Sequence, residues 1–186
     1  MRSIRDESPA KSEVLRRCLG TTAKYLLSRL DDFWLEHKEE VDPDYDQRIQ
    51  GISSYLANDK GDRQEILRTH PFKSSPDAYV TSMFDAGKLI ALGLLGAASL
   101  VPNSYAPAII VHGASILAAA AYCETQGLFN GVSFTMVFPI KLVCLLSPSV
   151  EQRTLAQHAL LRWGSERGLD DICKMSAPSY LDRSHG

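Results

Sequence analysis

Two apolar stretches, separated by a proline-flanked break, limit what this chain can fold into. Leu89–Val101 runs for 13 residues and Tyr105–Cys123 for 19. A membrane-spanning helix needs roughly 20 predominantly apolar residues. The first stretch falls short, and the second carries Pro107, His112, Gly113 and Ser115 on an alanine-rich background. Neither has the basic flank that would orient it across a bilayer. The pair reads as two buried core helices broken by VPNSYAP, and no membrane contact is expected.

The remaining pattern is helical throughout. From Ser12, a plausible N-cap, to about Glu39, the residues Leu15, Leu19, Thr22, Leu26, Leu30 and Phe33 recur at three- and four-residue spacing. The charged stretch HKEEVDPDYD then reads as a solvated helix end. Tyr45, Ile49, Ile52 and Leu56 predict a helix over 45–58, and a short one follows over about 62–69. The polar stretch 58–76 reads as a mobile connection.

A fourth helix starts near Pro76–Asp77, where proline and aspartate suit a first turn. It runs to about Ser99. Gly87, Gly93 and Gly96 within it imply close approach by another helix. Ser104 is a credible cap for a helix reaching Gln126, Val132–Leu146 follows with Pro139 inside it, and SPSVEQR opens a last helix ending near Gly168. No period-two run occurs. The expected fold is all-α, a compact bundle of about six to seven helices: one domain over 12–172 between a flexible N-terminus (1–11) and a flexible tail (173–186).

A 186-residue chain with 45% hydrophobic residues buries a proper core, and its net charge of -2 gives no footprint for direct nucleic-acid binding. Cys18, Cys123, Cys144 and Cys173 are scattered, which fits buried thiols in an intracellular protein, cytoplasmic or nuclear. The N-terminus lacks the apolar segment of a secretory signal. His70, His112 and His158 share no metal-ligand spacing, so no metal or other cofactor is expected. No GxGxxG, Walker or GxSxG motif supports nucleotide or hydrolase chemistry.

The helix near 105–126 carries the most suggestive pattern. His112, Ser115, Ala119, Tyr122 and Gln126 fall on one face, a polar-tipped stripe on an apolar helix. Such a stripe lines a pocket or meets water and neighbouring polar groups. Asp85 and Lys88, three apart in an apolar setting, either anchor a ligand or form an ordinary helix-surface pair.

Three segments carry a resemblance: YLLSRLDDFWLEH, AYVTSMFDAGKLIALGLL, and FTMVFPIKLVCLLSPSVEQRTLAQHALLRWGSERGLDDI. From Trp34 onward their order resembles the C-terminal part of the fungal-specific regulatory domain of zinc-cluster transcription factors. The last segment, with Phe138–Pro139, Trp163 and Gly168, is the most specific. That family's DNA-binding module needs six closely spaced cysteines, and this chain has four isolated ones. The resemblance implies a free-standing regulatory module without DNA binding, a fungal source and a secondary-metabolite pathway. It transfers no catalytic residue.

Two functions fit. One is a non-enzymatic helical module that binds a hydrophobic small molecule, or a protein partner or second copy through the first helix. The other is a cofactor-independent cyclase or pericyclase, Diels-Alderase-like, which mainly orients a hydrophobic intermediate in an apolar pocket. His112, Tyr122, Glu124 and Asp85 would be its catalytic contacts. Ser115, Gln126, Phe129, Phe134, Met136 and Trp163 would bind the ligand in either case. The stretch 58–76 would serve the cyclase as a lid.

Overall fold

The computed structural model describes residues 9–58, 72–126 and 132–167. These residues form an all-α bundle of six helices without a strand: α1 Pro9–Val41, α2 Tyr45–Asn58, α3 Ser75–Ala98, α4 Ala106–Thr125, α5 Val132–Leu146 and α6 Val150–Arg167. The helix expected over 62–69, most of the flexible N-terminus, the tail, Phe129 and Cys173 lie outside the described residues.

The two apolar stretches become the centre of the bundle. Each helix outgrows its apolar run, α3 to 24 residues and α4 to 20. By length and composition alone both could cross a membrane, yet about half of each is buried against neighbouring helices. α3 packs on α1, α4 and α5, and α4 also meets α2, α5 and α6. Leu89, Ile116, Met136, Ile140, Val143, Leu160 and Trp163 fill the shared core. Burial of each large apolar side chain contributes about 1.5–3 kcal/mol.

Caps fix where these helices begin. Ser74 accepts a hydrogen bond from the Asp77 amide at 3.2 Å, with Pro76 and Asp77 in the first turn of α3 as expected. Ser104 does not cap α4. Its hydroxyl donates to Ser99 Oγ at 3.1 Å, and Tyr105 holds the cap position without a side-chain bond. At the start of α6, Ser149 Oγ caps by accepting from the Gln152 amide at 3.3 Å, and Ser147 Oγ accepts from the Ser149 amide at 3.2 Å. α5 continues through the buried Pro139.

The first helix corrects the sequence expectation. It starts at Pro9, so Ser12 lies inside it, and of the Leu15–Phe33 stripe only Leu19 and Leu30 are half-buried. Ala23 and Trp34 are buried and Leu27 and Leu30 pack inward, whereas Leu15, Leu26 and Phe33 remain exposed. The register follows from Trp34, which stacks on Phe84 at 4.3 Å and meets the Tyr45 edge at 4.8 Å. Leu30 fills the space left by Gly87, where an added Cβ would lie 3.0 Å from its Cδ2. These contacts turn α1 by roughly one residue, about 100°.

Candidate functional site

The polar centre of the molecule forms where α2, α3 and α4 converge. The chain leaves α1 through Asp42–Pro43–Asp44 and re-enters a helix at Tyr45. The stretch expected to be a solvated helix end is thus the entry to a buried site, because Asp42 is only 4% exposed. Arg48, at 0% exposure, pairs with Asp42 Oδ2, and Thr81 Oγ1 donates to the same oxygen at 2.9 Å. The Arg48 guanidinium lies over the Phe72 ring at 3.9 Å. Burial pushes the Asp42 carboxyl above its ordinary range, against the opposing pull of Arg48 and Thr81.

One turn beyond Thr81, α3 presents Asp85, which is 0% exposed. Its Oδ1 accepts the Tyr45 hydroxyl at 2.7 Å and lies 2.8 Å from His112 Nδ1 on α4. Tyr45 Oη and His112 Nδ1 are 3.5 Å apart. Asp85 Oδ2 is buried with no hydrogen-bond partner among the described residues. Burial and the neighbouring Asp85 push the Tyr45 hydroxyl far up, so it stays a donor. With an ionised Asp85, Nδ1 of His112 must carry a proton and Nε2 is left as the second functional atom. The His112 side chain keeps 16% of its surface exposed, so the cluster reaches solvent through this ring.

Of the residues singled out in the sequence, the fold joins His112 and Asp85 directly. It separates the others. Lys88 does not pair with Asp85 but reaches across to Asp31 on α1. Tyr122 packs its ring at a tilt on Phe72 at 5.4 Å, the same ring that Arg48 covers. Glu124 accepts the Trp163 indole N–H at 2.6 Å and pairs with Arg162, which fastens α4 to α6. Trp163 and Met136 belong to the core, Phe134 and Gln126 are exposed, and Ser115 is buried with its hydroxyl unpartnered among the described residues. Ser115 and Ala119 on the stripe face inward, His112 and Tyr122 are half-buried and Gln126 is exposed, and none of them lines the groove of about 470 Å³ formed by α1, α3 and Tyr105.

Tyr45, Arg48, Asp42 and Thr81 were missed as site residues. The available signal was Arg48 between Tyr45 and Ile52 at helical spacing, a cation on an otherwise buried face. Phe72 and Ser75, within the stretch read as a mobile connection, are buried, while residues 59–71 lie outside the described ones. Cys123 and Cys144 are buried thiols as expected, whereas Cys18 is exposed.

No protein-family model, curated protein or solved structure matches the chain.

Proposed function

We propose that this chain is a helical small-molecule-binding or regulatory module that works without turnover, and that His112 receives the polar group of a largely hydrophobic ligand. The observation that carries this reading is the 2.8 Å Asp85–His112 contact. It ties up Nδ1 and leaves Nε2 as an oriented hydrogen-bonding atom on a partly exposed ring. Aromatic residues Trp34, Tyr45 and Phe84 form an apolar, rigid support behind it. The resemblance to the fungal regulatory domain supports the same reading, with an intracellular location, a role in secondary metabolism and a protein partner or second copy as the downstream contact.

A second reading rests on the same pair. A carboxylate that orients a histidine through Nδ1 is also the arrangement of a general base. It would serve a cofactor-independent cyclase or isomerase acting on a natural-product intermediate.

Native mass spectrometry of the chain purified from its host tests both. The binding reading expects a stoichiometric small molecule on the wild type, lost from His112→Ala, and returned chemically unchanged after incubation with apo protein. Conversion of that molecule would establish the enzyme reading. Bare protein in both samples would overturn both.

A further inference from the structure

We propose a second ligand site, separate from His112: the groove between the first half of α1 and the α3–α4 turn binds a free single-chain amphiphile with an anionic head. The groove has a volume of about 470 Å³, within the 300–1,000 Å³ range of small-molecule sites. Its base is apolar because α1 and α3 approach closely there. A Cβ added to Gly20 would lie 3.5 Å from Ala98 Cβ, and Leu95 and Leu100 extend the apolar wall. Leu100 is 77% exposed, a large side chain kept in water at the groove's edge.

The rim decides the sign of the ligand. Arg16, Arg17 and Lys24 face the groove with Glu13 as the one carboxylate among its lining residues, three cations against one anion. Glu13 takes one guanidinium nitrogen of Arg16 and Nε of Arg17 at 2.8 Å. Among the described residues Arg17 pairs with Glu13 through Nε alone, and Lys24 has no ion-pair partner. The local excess of positive charge stands against a chain whose net charge is -2. An apolar floor beneath a net excess of solvent-exposed cations fits an alkyl body with a carboxylate or phosphate head. The groove includes neither His112 nor Asp85.

Calorimetric titration of the full chain with decanoate, and with decyltrimethylammonium as its cationic counterpart, tests this below micelle-forming concentrations. Decanoate should bind at one per chain and at least about tenfold more tightly than the cation, with affinity falling as salt rises. Arg17→Gln with Lys24→Gln should weaken decanoate by about tenfold, and Leu100→Ser should weaken both amphiphiles, all with unchanged thermal melts because these side chains are exposed. His112→Ala should leave decanoate binding intact, which separates this site from the proposed function. Equal affinity for the two amphiphiles, or indifference to the Arg17 and Lys24 changes, would overturn the proposal. So would binding confined to phosphatidylserine-containing vesicles, which would make this face a membrane contact instead.

Discussion

Asp85 Oδ1 sits 2.8 Å from His112 Nδ1 while its partner oxygen Oδ2 is buried and unbonded among the described residues. One carboxylate oxygen thus serves both Tyr45 and His112, holding α2, α3 and α4 at a single point. A buried acceptor without a hydrogen bond carries a desolvation cost, which Oδ2 adds to this junction. Replacement of Asp85 by Ala removes the acceptor from two groups at once and should cost about 1–3 kcal/mol per orphaned donor. Tyr45→Phe removes a single donor and should cost about 0.5–1.5 kcal/mol. Urea unfolding checks the order: a Tyr45→Phe loss larger than that of Asp85→Ala would contradict the shared-acceptor arrangement.

The Asp42–Arg48 pair makes a sharper comparison. Removing one member of a buried ion pair costs about 3–5 kcal/mol, whereas an apolar replacement of both is often close to neutral. Asp42→Ala and Arg48→Met should each be strongly destabilising. The double change Asp42→Leu with Arg48→Met should lose much less than the sum of the two. Additive losses would show that the pair is not coupled.

Acidity should report on Asp42. Its carboxyl is pushed above the ordinary 3.8 by burial, so the folded chain holds this proton more tightly than the unfolded chain. Its contribution to stability is therefore full below that ordinary value and is lost as pH rises through the raised folded value. The stability of the wild type relative to Asp42→Asn should increase as pH falls through that window. A difference that is flat, or that shrinks toward acid, would contradict the burial argument.

Thiol chemistry separates the cysteines by burial. Burial pushes Cys144 up to about 11 and Cys123 in the same direction, which suppresses the reactive thiolate. Under native conditions iodoacetamide should label Cys18, which is exposed, and spare Cys123 and Cys144. Peptide mapping checks this, and rapid labelling of Cys144 before unfolding would contradict the packing between α5 and α6.

Much of this architecture is legible in the amino-acid sequence. Helix starts at Ser74–Asp77 and Ser147–Ser149 follow from local capping chemistry, and an apolar pair split by VPNSYAP leads to two central helices. Gly87 signals the close approach of α1, because a Cβ there would lie 3.0 Å from Leu30 Cδ2, a contact tight enough that the leucine would have to shift. The rotation of α1 is not legible. Its apolar sector is wide enough for either face, and stacking of Trp34 on Phe84, fifty residues away in sequence, selects one.

The site is half legible for a related reason. His112 and Asp85 stand out as polar residues in apolar helices, so composition flags them. Asp42 lies in a charged stretch that looks like any solvated helix end, and Arg48 follows it as a lone cation in the next amphipathic helix. Their burial depends on Thr81 and Phe72 arriving from α3 and the segment before it. Glu124 looks available in sequence because its partners, Arg162 and Trp163, come from a helix far along the chain.

The proposed function depends on which nitrogen of His112 is left for a ligand. Long-range nitrogen–proton NMR correlations of the histidine side chains, assigned with His112→Gln, measure this directly in solution alkaline enough to leave free imidazole neutral. The account predicts that His112 carries its proton on Nδ1, toward Asp85, with Nε2 bare, and that Asp85→Asn disturbs this preference. A proton on Nε2 with Nδ1 bare in the wild type would mean that the ring does not donate to Asp85, and would contradict His112 as the ligand-receiving residue.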